Sequence, residues 1–283
     1  MLMLAFIICN YLLKRYLISN NINSSIGEDI VFYAAIGGIL GAKIYYIIEY
    51  YNTGEGYNNL LGLYSMVRGF FSFDINLFIN GLTDFGSGLV FLGGLIGGMI
   101  TVSLYIYIKK LKWTLVADWV APYLMLGQGI GRLGCFFVGC CYGKPTTSNW
   151  LFSFPSGRPP TTYEGFQYNY PDIFNSYVKL FYNPGEFVKV HPTQLYEFVL
   201  YILIFIFLFF RRKSKSFDGQ IMIEYLFLAG LTRFSIEYIR LNPIYLSYFG
   251  LSSAQIISLF MIIISLSLII FNFKISNYGK HKL

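Results

Sequence analysis

Arg132 is the only charged residue in the run GQGIGRLGCFFVGCCYG, Gly127 to Gly143. An ionisable group inside an apolar run of this kind is costly to bury, so it marks a functional site. A planar guanidinium offers bidentate hydrogen bonds to a phosphate. The alternative is a side chain that snorkels to the outer interface. Five glycines precede Cys140 in the same run: Gly127, Gly129, Gly131, Gly134 and Gly139. They let a neighbouring helix or a ligand come close to the backbone. The chemistry this suggests is the binding of an anionic headgroup.

A second set is Arg233, Glu237 and Arg240 in LTRFSIEYIR. On a continuous helix the spacing i, i+4, i+7 places two arginines and one carboxylate on one face. Glu237 is then placed to hold Arg233 toward a ligand, although an i,i+4 pair also serves as a plain structural ion pair. A third set is HPTQLYE, His191 to Glu197. Pro192 suits the first position of a helix, with His191 at its cap. Gln194 and Glu197 share a face, where interhelical hydrogen bonding is their simplest role. GGILG (Gly37, Gly38, Gly41) and GGLIGG (Gly93 to Gly98) contain G-x-x-x-G, which favours close helix packing. Among the cysteines, Cys140 and Cys141 are adjacent, a poor geometry for a disulfide, whereas Cys135 with Cys140 can bridge an irregular turn. C-x-x-x-x-C-C lacks the paired spacing and fourth ligand of a zinc site. Small-residue packing is therefore the leading reading of the thiols, and neither a metal nor a cofactor is expected.

These residues need a membrane to position them. The chain has 283 residues, 55% hydrophobic and only 12% charged, against about a quarter charged in a soluble domain. Apolar runs fall at about 1–13, 30–48, 87–108, 114–141, 193–210, 219–238 and 251–273. Most approach the ~20 residues that span the hydrocarbon. The expectation is an all-α polytopic membrane protein of about seven transmembrane helices, one bundle domain over 1–283. The start, MLMLAFIICNYLL, lacks a charged n-region and a cleavage site and reads as the first span rather than a cleavable signal. Twelve of the 21 Lys and Arg fall in four clusters, around Lys14, Lys109, Arg211 and Lys274. With seven spans all four share one side, which the positive-inside rule makes cytoplasmic. The N-terminus is then outside and the C-terminus inside. This placement accounts for much of the net charge of +7 without nucleic acid as a partner. Segments 50–86 and 142–192 face outward. The second is proline-dense, which forbids a continuous helix and predicts an irregular outward-facing lobe with short strands.

IGRLGCFFVGCCYGKPT, HPTQLYE, the Arg233–Glu237–Arg240 segment, FLGGLIGG and GGILGAKIYY occur together between about Gly37 and Pro243. As a set they resemble the prolipoprotein diacylglyceryl transferase family. The resemblance implies a multi-pass protein of the bacterial inner membrane. It implies transfer of the diacylglyceryl group of phosphatidylglycerol to the thiol of a prolipoprotein's lipobox cysteine, with formation of a thioether and release of glycerol phosphate. Its partners are then phosphatidylglycerol, the prolipoprotein signal peptide and the membrane. The family's lipid-contacting arginine falls on Arg132, its later essential arginine on Arg233 with the carboxylate Glu237, and its closing signature glycine on Gly143. Arg233, Glu237 and His191 become the candidates for chemistry. Arg132, Gly143, Arg240, Gln194 and Glu197 become the candidates for binding substrate. Four positions depart from the pattern: Leu92 stands where the family has a histidine proposed to activate the thiol, Cys135 replaces an asparagine, Cys140 an acidic residue, and Ala229 a tyrosine. The alternative is a divergent member that acts on another acceptor or binds lipid without catalysis.

The implied reaction is a displacement at an sp3 carbon. It needs a thiolate and stabilisation of the departing phosphate. A thiol of pKa about 8.5 is a few per cent ionised at neutral pH. General base catalysis is worth ~10²–10⁴-fold, so the loss of the histidine slows such a reaction without removing the larger electrostatic contribution.

Overall fold

The computed structural model describes residues 1–280 except 53, 87, 89, 149 and 242–249, and leaves the side chains of 2, 91, 92 and 273–280 undescribed. The described residues are helical almost throughout. In chain order the helices begin with α1 (Leu2–Ser19), α2 (Ser25–Glu49), α3 (Glu55–Phe71), α4 (Ile75–Gly86), α5 (Phe91–Ile108) and α6 (Trp113–Val138). Short helices follow: α7 (Tyr163–Asn169), α8 (Pro171–Ile173), a π-helical turn over Phe174–Val178, and α9 (Lys179–Phe181). The last long helices are α10 (Thr193–Arg211), α11 (Gln220–Glu237) and α12 (Ser253–Lys280). Among the described residues three segments are long and apolar enough to cross a membrane, Ser25–Glu49, Thr193–Ser214 and Ser253–Asn272, with Gly93–Ile108 a shorter apolar helix. The protein is therefore a multi-pass helical membrane protein. Runs 114–141 and 219–238 do form helices, α6 and α11, but their glycines and charged residues keep them out of that apolar set.

The chain falls into two compact units, Lys14–Trp113 and Met1–Leu13 with Thr114–Leu283. In the first, α2 and α5 meet backbone to backbone. A Cβ on Gly41 would stand 2.3 Å from the Gly93 carbonyl oxygen, and one on Gly97 would stand 2.2 Å from that of Gly37. Only glycine fits, so both G-x-x-x-G motifs serve packing. Segment 50–86, expected to face outward, holds α3 and α4, packed through Gly62, Gly69 and Gly81.

In the second unit α6, α10 and α11 share a core of Ala121, Met125, Tyr201, Leu208, Ile221 and Tyr225. The start of α1 packs on α6 through Ala5, Leu126 and Ile130. Segment 142–192 has its own apolar centre, including Phe166, Val178, Val188 and Val190. The short strands expected there do not form among the described residues. Isolated bridges such as Pro145 with Val190 and Thr162 with Phe187 hold the segment instead, because its prolines interrupt any longer ladder.

Candidate active site

Helices α6, α10 and α11 each deliver an ionisable side chain to one place. Glu197, in the second turn of α10, is fully buried. Arg132 of α6 approaches it with Nε 2.9 Å from Oε2, and Arg233 of α11 with Nη1 3.7 Å from Oε1. Arg233 also reaches Glu237, Nη2 to Oε2 at 2.7 Å. Ser252, just before α12, donates Oγ–H to Glu237 Oε1 at 2.7 Å. A buried carboxylate carries a desolvation penalty of several kcal/mol, offset only by close opposite charge. Glu197 has two such neighbours from two other helices, so it fixes where both guanidiniums lie.

Three guanidiniums, those of Arg132, Arg233 and Arg240, face two carboxylates, those of Glu197 and Glu237. One positive charge is left over. Arg233 Nη1, Arg240 Nε and Gln194 Oε1 are buried without a hydrogen-bond partner among the described residues. Both Glu197 oxygens likewise lack a hydrogen bond among the described residues; buried polar groups are almost always paired, so such a locale has unused capacity for a ligand.

The edge of the site is a backbone weave. Gly143 N–H donates to the His191 carbonyl at 2.8 Å, His191 N–H to Lys144 O at 3.1 Å, and Lys144 N–H to Ile239 O at 2.8 Å. A Cβ on Gly143 would stand 2.8 Å from Ile239 O and 3.0 Å from His191 Cβ, so this crossing admits no side chain. Gln194 Nε2 donates to the Cys140 carbonyl at 2.6 Å and Thr193 Oγ1 to that of Cys141 at 2.8 Å. The His191 ring lies against Tyr196, Nδ1 to Oη at 3.3 Å.

Two expectations change. Arg240 does not share a helical face with Arg233 and Glu237. Helix α11 ends at Glu237, and Tyr238 to Arg240 leave it in a turn that brings Arg240 into a bridge with Gly143. Pro243 follows closely in sequence and disfavours a longer helix. Pro192 is not the first helical residue but the cap; α10 starts at Thr193. Leu92 belongs to α5 in the other unit, and its side chain lies outside the described residues.

The thiols give the least expected arrangement. α6 ends at Val138, and Gly139 and Cys141 both adopt left-handed backbone conformations, φ 69° and 63°. Gly139 closes the helix in the usual way for glycine, whereas Cys141 holds its conformation at a steric cost. The turn folds the chain back so that the sulfur atoms of Cys135, Cys140 and Cys141 all lie within 4.8 Å of one another. None of the three is in a disulfide.

Sequence spacing does not single out Ser252 or Tyr201. Ser252 has no local signal, whereas Tyr201, beside Glu197 and Arg132, is one helical turn beyond Glu197.

Residues 1–271 match the family described as prolipoprotein diacylglyceryl transferase. The phosphatidylglycerol–prolipoprotein diacylglyceryl transferase of Clostridium tetani is 34% identical over 263 residues, covering 89% of this chain and 83% of its own. That of Paraburkholderia phytofirmans is 29% identical over 260 residues, 87% and 77% of the two chains. The second such transferase of Clostridium perfringens is 31% identical over 242 residues, 83% and 76%. Helices α6, α10 and α11 all fall inside the matched span, and the chain belongs to the prolipoprotein diacylglyceryl transferase family.

Proposed function

We propose that this protein transfers the diacylglyceryl group of phosphatidylglycerol to the thiol of a prolipoprotein's lipobox cysteine. The observation that carries the reading is the convergence of Arg132 and Arg233, from two helices, on the single carboxylate Glu197. One uncompensated positive charge matches the one negative charge of a phosphodiester. Arg132 and Arg233 bind that phosphate, and the donors Arg233 Nη1 and Arg240 Nε, which make no hydrogen bond among the described residues, take up oxygens as charge grows on the leaving group. Glu197 and Glu237 hold the arginines in place. Gln194 fixes the turn after α6, Gly143 gives the close crossing beside the site, and His191 assists the proton transfer.

The thiolate attacks the lipid's terminal glyceryl carbon. A sulfur–carbon bond forms as the carbon–oxygen bond breaks, and glycerol phosphate leaves with the electron pair. Fixed guanidiniums at the departing phosphate supply the largest contribution, because they need no reorganisation as the charge develops. In the membrane we assign seven spans, with the N-terminus and segment 142–192 outside and the basic turn at Arg211–Lys215 in the cytoplasm. On that assignment Glu197, near the start of α10, lies at the outer leaflet of the inner membrane.

The test is prolipoprotein maturation in cells depleted of their own transferase. The protein restores maturation, and Arg132→Ala and Arg233→Ala abolish the rescue. Full rescue by Arg132→Ala ends the phosphate-clamp assignment.

A further inference from the structure

We infer that Cys135, Cys140 and Cys141 bind a zinc-class divalent cation as three thiolates and leave its fourth position to the substrate thiol, so that the metal generates the nucleophile. This rests on the transferase reading above. The three sulfurs lie within 4.8 Å of one another. A tetrahedral zinc with ~2.3 Å bonds to sulfur sets its sulfurs roughly 3.8 Å apart, so small side-chain rotations complete the set. The backbone is already committed to this shape. Cys141 holds φ 63°, a conformation uncommon for a residue with a side chain and typical of functional sites. The carbonyls of Cys140 and Cys141 are tied to α10 by Gln194 and Thr193, which fixes the turn against Cys135 at the end of α6.

Arg132 and Arg240 lie within electrostatic reach of Cys141, so positive charge stands beside the thiols. Three protein ligands with one open position is the arrangement of catalytic rather than structural zinc. A thiol that coordinates such an ion is deprotonated outright.

The step balances without oxidant or reductant. The substrate thiol loses its proton to water as it binds the metal. Its sulfur then attacks the glyceryl carbon; the sulfur–carbon bond forms while the carbon–oxygen bond breaks, and the phosphate oxygen keeps the electron pair. The thioether product is a poorer ligand than a thiolate and leaves the metal.

The test uses the full-length protein in detergent, reduced, stripped with a chelator and titrated with Co²⁺. One equivalent should give a near-ultraviolet sulfur-to-cobalt charge-transfer band with tetrahedral visible bands, and Zn²⁺ should displace both. Single Cys→Ser changes at 135, 140 or 141 should weaken binding at least tenfold, and Cys9→Ser should not. A lipobox peptide should shift the cobalt spectrum, and its Cys→Ala version should not. Absence of the charge-transfer band in the reduced wild-type protein overturns the metal site. Undiminished transfer by the stripped protein overturns its role in making the nucleophile while leaving the transferase reading intact. A normal cobalt spectrum in a protein that transfers nothing removes the transferase reading instead.

Discussion

The second unit carries two buried acidic centres, and they are built to opposite specifications. At one end Asp118 of α6 is saturated. Its Oδ2 accepts from Gly219 N–H at 2.9 Å and Lys215 Nζ at 3.0 Å, and its Oδ1 from Met222 N–H at 3.2 Å. It caps the start of α11 and holds the preceding turn. Arg212 nearby is likewise spent, stacked 4.5 Å over Phe209 and bonded to Tyr123 Oη at 3.3 Å. At the other end Glu197 holds two arginines at ion-pair distance, yet among the described residues neither of its oxygens has a hydrogen bond of good geometry, and Arg233 and Arg240 each keep a donor without one. Asp118 and Arg132 are fourteen residues apart in α6, about 21 Å of helix. A satisfied network stabilises; a charged and unsatisfied one is held ready for something else. The helices thus separate the anchoring of α11 from the chemistry proposed at its far end.

The contrast breaks first at Arg233. Arg233→Ala should lower transfer by ~10²–10³-fold, as for removal of a preorganised donor to developing charge, and should also lower the melting temperature, because buried Glu237 loses its closest counter-charge; radiolabelled lipid transfer and thermal unfolding measure the two. Next is Gly143→Ala, which pushes a Cβ into Ile239 O and His191. It should cost about 1–3 kcal/mol, as overpacking does, and reduce transfer together with stability. Asp118→Ala should cost about 2 kcal/mol through the lost cap and hydrogen bonds but leave the transfer rate of the folded protein within about twofold, a bound that assumes no coupling across well-separated sites. Loss of rate as large as that of Arg233→Ala would erase the distinction between the two centres. Ser252→Ala falls between Arg233→Ala and Asp118→Ala in its effect on transfer. It removes one hydrogen bond to a charged group, worth ~1.5–3 kcal/mol at most, and should lower transfer roughly tenfold without altering the cobalt spectrum.

Much of this is legible in residue types. Apolar runs locate the long helices, and the paired G-x-x-x-G motifs announce the contact of α2 with α5. Arg132, Arg233, Glu197 and Glu237 stand out because charge in an apolar helix needs a reason. Helices α3 and α4 are hidden by their Asn, Gly and Tyr content, although the glycines that let them touch, Gly62, Gly69 and Gly81, are in view. Arg240 is misplaced by sequence because helical projection assumes that the helix continues, and the pairing with Gly143 that draws the chain away is non-local. The thiol cluster is invisible for a similar reason. C-x-x-x-x-C-C converges only through the left-handed Cys141, and no local propensity asks for that conformation at a cysteine.

The crossing at Gly143 has one more consequence. Consecutive peptide groups lace three distant stretches of chain, those after α6, before α10 and after α11. Slipping any one by a residue would unfasten the other two and carry the thiols away from the arginines. Cooperative opening of this crossing should make partial heating abolish the proposed sulfur and phosphate recognition together rather than in turn.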